Sequence, residues 1–203
     1  MAFLSFDRYF TKNCMHPCSL VEWEKRDVRI DGPDGEPVFE AKGVEFPKFW
    51  SERASTVVAS KYFRQLNGTQ ETSVKSMINR VVQAITGCGF EDGYFDYDMA
   101  TPFYDELTHI LLHQYASFNS PVWFNVGIED VPQTSACFLL AVQDSMEGIL
   151  DWYKEEGLIF KDGSGAGINL SPLRGNGAPL SSGGKASGPM SFAKVADVNA
   201  GAI

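Results

Sequence analysis

The clearest helical pattern lies in residues 73–86, where Val74, Met77, Ile78, Val81, Val82 and Ile85 recur three and four residues apart and line one face. Ser73 is a capping residue before it and Gly87 a stop after it. Residues 87–100, rich in Gly, Asp and Tyr, read as a loop. A second helix is expected with Thr101 as its cap and Pro102 at its first position, burying Phe103, Leu107, Ile110, Leu111, Tyr115 and Phe118. Asn119, Ser120 and Pro121 would stop it, and the apolar run PVWFNVG would follow as a buried strand or extended segment. Upstream, Asp31, Gly32, Pro33, Asp34 and Gly35 read as a turn between two extended segments, the second within residues 38–46.

Farther along, CFLLAV (residues 137–142) predicts a short strand. Asp144, Ser145, Met146 and Glu147 follow, and Met146, Ile149, Leu150 and Tyr153 mark a helical face that Gly157 would close. Helix N-terminal amides beside a serine hydroxyl suit an anion such as a phosphate. Nine of the nineteen glycines fall in residues 157–188. Gly163, Gly165 and Gly167 feed a short strand at Ile168, Asn169 and Leu170, and Arg174 opens a second glycine-rich stretch that reads equally as a mobile loop or a ligand cradle. GSGAG is not a phosphate loop of the Walker type, since no Lys-Ser or Lys-Thr follows, and no apolar strand precedes it as a dinucleotide fingerprint requires. Phe192, Val195, Val198 and Ile203 carry an apolar pattern to the last residue, so the chain is expected to be a piece of a longer one.

Composition narrows the class. The chain has 203 residues, 44% hydrophobic and 21% charged, which is the balance of a folded protein of one or two domains. No apolar run approaches the roughly 20 residues of a membrane span, and Asp7 and Arg8 interrupt what would be a signal peptide. The reducing cytoplasm is therefore the expected compartment, and neither membrane nor nucleic acid is an expected partner, the net charge being −9. Cys14, His16 and Cys18 sit close enough for three zinc ligands, but no fourth follows at finger-like spacing. His109 and His113 have the spacing of a two-histidine metal site without the glutamate of a zincin, and read as surface or satisfied side chains. No metal site is expected.

Three phrases then coincide, FNSPVWFNVG (118–127), SACFLLAVQDSMEGI (135–149) and DGSGAGINLSPLRG (162–175), with VEWEKRD (21–27) near the start. In order and spacing they resemble the start of the catalytic subunit of ribonucleotide reductase. VEWEKRD and FNSPVWFNVG resemble the adenosylcobalamin-dependent class II enzymes. The resemblance covers nearly the whole chain and implies an N-terminal fragment of an α/β protein. A mostly helical N-terminal region (residues 1–117) would lead into the first, incomplete part of a ten-stranded α/β barrel (residues 118–203). It also implies reduction of ribonucleoside diphosphates to 2′-deoxyribonucleotides for DNA synthesis by radical chemistry, with adenosylcobalamin (vitamin B12) as cofactor. Implied partners are the ribonucleotide, a thioredoxin-type reductant, a second copy in a homodimer and a complementary C-terminal chain.

Carried over by position, the resemblance makes Cys137 the first of two reducing thiols, with its partner and the radical cysteine outside this chain, so the isolated piece is expected to be inactive. Ser120, Ala136, Cys137 and Gly165 match substrate-contacting positions, the segment after Ser120 being a strand that lines the pocket. Many relatives carry Ser where Ala136 stands, which leaves only backbone to bind there. Asp144, Ser145, Met146 and Arg174 match a nucleotide effector site, for a deoxynucleoside triphosphate or ATP, at the dimer interface, with residues 174–188 ordering around the effector. Starting directly with FDRYF, the chain is expected to lack the separate ATP-binding cone of many class I subunits and with it overall-activity control by ATP and dATP. The competing readings are a class I large subunit, a split non-catalytic nucleotide-binding half that needs a second chain, and a small zinc protein built on Cys14, His16 and Cys18.

Overall fold

The computed structural model describes residues 4–12, 15–66 and 68–203. It divides into two compact units, Met1–Pro132 and Gln133–Ile203. Residues 118–132, grouped by sequence with the later part, lie in the first unit.

The first unit opens with a hairpin. β1 (Trp23–Asp31) pairs antiparallel with β2 (Pro37–Pro47), from Trp23 opposite Pro47 to Asp31 opposite Pro37. The Asp-Gly-Pro-Asp-Gly segment makes the turn, with Gly35 at φ 81° donating to the Gly32 carbonyl. Helix α1 (Glu52–Lys61) is capped by Ser51, and the two-residue strands β3 (Gln65–Leu66) and β4 (Thr69–Gln70) lead to α2 (Val74–Glu91). As the spacing predicts, Val74, Met77, Ile78, Val81 and Val82 are buried and Ser73 caps the start. Burying each such side chain contributes about 1.5–3 kcal/mol. Gly87 does not end the helix. The last turns run through Gly87 and Gly89 to Glu91, and Gly89 leaves the space that the Phe95 ring fills.

Helix α3 (Tyr97–Leu112) starts earlier than the sequence predicts, with Asp96 as its cap and Pro102 inside it, and stops at Leu112. Its buried face is partly polar: Asp105, Glu106 and Thr108 are buried with Leu111 and Leu112, while Tyr115 is exposed. The two carboxylates have partners on the N-terminal segment. Arg8 pairs with Asp105 at 2.7 Å, and the Phe10 and Thr11 amides donate to Glu106 at 2.9 and 2.8 Å. The apolar run after Ser120 is a helix, α4 (Ser120–Asn125), and not a strand. Asn119 caps it, Pro121 sits in its first turn where a missing N–H costs nothing, and Val122 and Trp123 reach the core beside Phe46, Trp50 and Leu112. Buried Arg80 on α2 holds the far end of α4, donating to the Val126 and Trp123 carbonyls at 2.6 and 3.1 Å, and pairs with Glu71 at 2.9 Å.

The second unit is a βαβ arrangement. β5 (Cys137–Ala141) runs parallel to β6 (Gly165–Asn169), with Cys137 opposite Gly165 and Ala141 opposite Asn169, and α5 (Met146–Lys161) connects them. Helix α6 (Pro189–Ala200) follows. Ile149, Trp152, Val142, Leu173 and Ala196 form the core, with Leu140, Ile168 and Phe192 packed on it. Met146 and Leu150, expected on the buried face of α5, are exposed, as are Val195 and Val198 on α6. Gly157 does not close α5, which continues to Lys161. The architecture is the mixed α/β expected, and each sheet among the described residues is an open pair of strands, as at the start of an unfinished barrel. No helix among the described residues is long and apolar enough to cross a membrane.

Candidate functional site

Alternation along β5 and β6 sorts their side chains. Phe138, Leu140, Ala166 and Ile168 are the half-buried positions, and Leu140 and Ile168 pack on the core. Cys137, Leu139 and Ala141, with Gly165, Gly167 and Asn169 beside them, form the opposite, exposed face. Leu139 is 94% exposed there. A strand pair covered on one face and open on the other, with an apolar residue on the open side, is the pattern of a surface meant to be enclosed.

Cys137 is a free thiol on this exposed face. Its neighbour across the pair is Gly165, so the sulfur stands over bare backbone. Packing does not demand that glycine. An added Cβ would meet only the Ala136 carbonyl, at 3.7 Å, and the backbone is not left-handed. The missing side chain keeps the surface beside the thiol open to a ligand. Ala136 is held by the Gly165 N–H, which donates to its carbonyl at 2.7 Å, and Ser164 Oγ donates to the Ser135 carbonyl at 2.6 Å. The structure thus brings Ala136, Cys137 and Gly165 together. Ser120 belongs to the first unit, at the first position of α4, with its hydroxyl 2.9 Å from that of Tyr62.

The four positions that the resemblance assigns to an effector converge. Asp144, Ser145, Met146 and Arg174 line one cavity of about 340 Å³ with Leu173 and Lys185 among its other walls. Arg174 Nε donates to Asp144 Oδ2 at 2.8 Å, and this hydrogen bond holds the Asp144 carboxyl below its usual range. Ser145 caps α5, its oxygen accepting from the Gly148 N–H at 3.1 Å, so its own proton stays available. Lys185 carries no signal in the sequence. It reaches the cavity because residues 174–188 fold into a tight hairpin rather than a shapeless loop: Gly177 donates to the Ala186 carbonyl and Ala186 to that of Ala178, with Gly183 and Gly184 at φ 86° and 96° in the turn.

The histidines hold no metal cluster among the described residues. His16 Nδ1 accepts from the Cys18 N–H at 3.2 Å, and Cys14 lies outside the described residues. His109 and His113 stack between Phe10 and Phe49, with centroids 5.0, 4.1 and 5.2 Å apart along the row.

Residues 24–69 and 65–114 match the family described as class II vitamin B12-dependent ribonucleotide reductase, and residues 135–203 match the ribonucleotide reductase barrel domain. A vitamin B12-dependent ribonucleotide reductase of Streptomyces coelicolor is 53% identical over 208 residues, covering 98% of this chain and 21% of the relative. A vitamin B12-dependent ribonucleoside-diphosphate reductase of Thermoplasma acidophilum is 44% identical over 86 residues, 42% of this chain and 11% of the relative. Among solved structures, a class Id ribonucleotide reductase alpha subunit of Actinobacillus ureae superposes with a TM-score of 0.58 at 24% identity, over 77% of this chain and 26% of that one, a likeness of fold. The chain spans about a fifth of the length of the curated relatives that it matches from end to end.

Proposed function

The chain belongs to the class II vitamin B12-dependent ribonucleotide reductase family, and from that premise we propose that it supplies one reducing thiol and part of the nucleotide-binding surface for converting ribonucleoside diphosphates to 2′-deoxyribonucleotides. Cys137, open on the uncovered face of β5 beside Gly165, is the observation that carries the reading. The electron balance is simple. Two thiols lose two electrons and two protons and become a disulfide, the ribose 2′-hydroxyl leaves as water, and a hydrogen takes its place. Cys137 is one of the two. The second thiol and the radical cysteine are not residues of this chain, and a thioredoxin-type dithiol restores the pair. The diphosphate as substrate is supported by the name of the Thermoplasma relative.

Ser120, the Ala136 backbone, Cys137 and Gly165 contact the substrate in this reading. Asp144, Ser145, Met146 and Arg174 bind a deoxynucleoside triphosphate or ATP effector, the guanidinium fork of Arg174 suiting phosphate oxygens. A homodimer around α5 agrees with the exposed Met146, Leu150 and Leu158 on that helix. The class II match over residues 24–114 weighs against a class I large subunit. A cytoplasmic setting and a complementary C-terminal chain complete the proposal.

Adenosylcobalamin, when bound, supplies the radical in this reading, and the description of the matching family supports that cofactor.

The test is exchange of this chain for the corresponding fifth of the Streptomyces coelicolor relative. The hybrid is expected to reduce CDP over many cycles with adenosylcobalamin, a dithiol and no second subunit, and Cys137→Ala is expected to abolish turnover. Undiminished turnover in Cys137→Ala would end the proposal.

A further inference from the structure

The Ser120 hydroxyl has a side-chain partner in Tyr62, and the structure holds that partner firmly. Tyr62 follows α1 as its C-cap, and its hydroxyl lies 2.9 Å from Ser120 Oγ. The Tyr62 ring stacks on Phe124, four residues after Ser120 in α4, with centroids 5.4 Å apart and planes 28° apart. The Arg64 guanidinium covers the Phe124 ring at 4.2 Å. At the other end of α4, buried Arg80 grips the Trp123 and Val126 carbonyls and is itself held by Glu71. Both oxygens therefore sit on fixed supports, and their hydrogen bond is a feature of the fold, not an encounter of two loose side chains.

Either oxygen is able to donate, and chemistry decides between them. A phenol ionises near pH 10, far more readily than an aliphatic hydroxyl, and is the better donor. With Tyr62 donating, Ser120 Oγ accepts and its own proton is left for a further acceptor. A hydroxyl that accepts one hydrogen bond becomes a stronger donor in the next. We propose that Tyr62 is a positioning residue: it fixes the Ser120 hydroxyl with its proton turned to an acceptor oxygen of the ribonucleoside diphosphate. This rests on the reading of Ser120 as a substrate contact and adds the residue that orients it.

The test is a double-mutant cycle in the hybrid reductase described above, with CDP as substrate. One neutral hydrogen bond carries a roughly two- to tenfold effect. Tyr62→Phe keeps the ring stack and is expected to raise KM for CDP about threefold, with kcat and the thermal midpoint unchanged. Ser120→Ala is expected to raise KM about fivefold to tenfold, and adding Tyr62→Phe to it to do nothing more. Ser120→Thr, which keeps a hydroxyl, retains the dependence on Tyr62. A merely structural Tyr62 would lower the thermal midpoint and leave that cycle additive, which overturns the inference. KM unmoved by Tyr62→Phe but raised by Ser120→Ala overturns it too, and leaves the substrate reading standing. KM unmoved by Ser120→Ala, or a wild-type hybrid that makes no deoxynucleotide, sinks the substrate reading and the inference together.

Discussion

Arg174 and Asp144, thirty residues apart in the chain, close on each other through Nε and Oδ2 at 2.8 Å, and the same guanidinium reaches the Asp144 carbonyl at 3.4 Å. The pair joins the hairpin after β6 to the start of α5 at the wall of the cavity proposed to hold the effector. Exposed pairs of this kind contribute little to stability. Arg174→Gln is therefore expected to leave the thermal midpoint unchanged. Binding of dTTP, measured by equilibrium dialysis, is expected to weaken about tenfold or more, the scale of one charge-assisted hydrogen bond to phosphate. In the same variant the Asp144 carboxyl should titrate higher, because the hydrogen bond that holds it down is gone.

The N-terminal segment lies along α3 through groups that titrate in one direction. Burial pushes the His109 imidazole down, with a smaller push from His113, and burial pushes His113 down as well. Burial works upward on the Glu106 carboxyl, but the Thr11 hydroxyl and the Phe10, Thr11 and Tyr9 amides together hold it below its usual range. A group whose pKa is lower folded than unfolded gives stability that is full above the unfolded value and lost as pH falls through the folded one. For the histidines the loss begins below about pH 6.5, and for Glu106 below about pH 4.5. Amide exchange at Phe10 and Thr11 should accelerate relative to the α2 core as pH falls from 7 to 5, and His109→Gln should remove much of that acceleration.

Gln114 ends α3 in the same left-handed turn by which Gly93 ends α2. Tyr115 donates to Ile110 and Gln114 to Leu111, as Tyr94 donates to Gly89 and Gly93 to Phe90, at φ 58° and 72°. A side chain is disfavoured in that conformation. Gln114→Gly should stabilise the chain by about 0.5–1 kcal/mol and Gly93→Ala should destabilise it by about 1 kcal/mol, read from urea unfolding.

Arg80 and Glu71 are only 4% and 2% exposed in their side chains, and removing one strands the other's charge. Arg80→Met is expected to cost about 3–5 kcal/mol in urea unfolding. Lys48→Met, which breaks the exposed 2.7 Å pair with Glu22, is expected to change nothing measurable. Equal losses in the two variants would contradict the burial argument.

Thiol chemistry should separate the cysteines. Burial pushes the Cys18 thiol up to about 11, Lys75 drawing it slightly back. Cys137 and Cys88 are exposed. Alkylation by iodoacetamide at pH 8, followed by mass spectrometry, should modify Cys137 and Cys88 at least about a hundredfold faster than Cys18, since the thiolate is the reacting species.

The relation between pattern and structure differs from element to element. Helix α2 was legible because its core side is a single apolar stripe, which period alone identifies. α3 was legible only as a helix. Its buried face carries Asp105 and Glu106, and their partners Arg8, Phe10 and Thr11 lie some 95 residues away in the chain, beyond the reach of any local window. PVWFNVG misled because an apolar run of that length has no period to separate strand from helix. The cap at Asn119, Pro121 in the first turn and the Arg80 grip on the last carbonyls decide for α4.

By itself the sequence determined the family and the strand–helix–strand order of the second unit, since each is written in contiguous residues. Tertiary structure alone decided which face of β5 carries an open thiol, that Lys185 joins Asp144 and Arg174 around one cavity, and that Tyr62 meets Ser120. The reason is physical: sequence fixes local periodicity and residue chemistry, whereas contact between distant segments depends on how the apolar faces bury one another, and only the folded chain solves that.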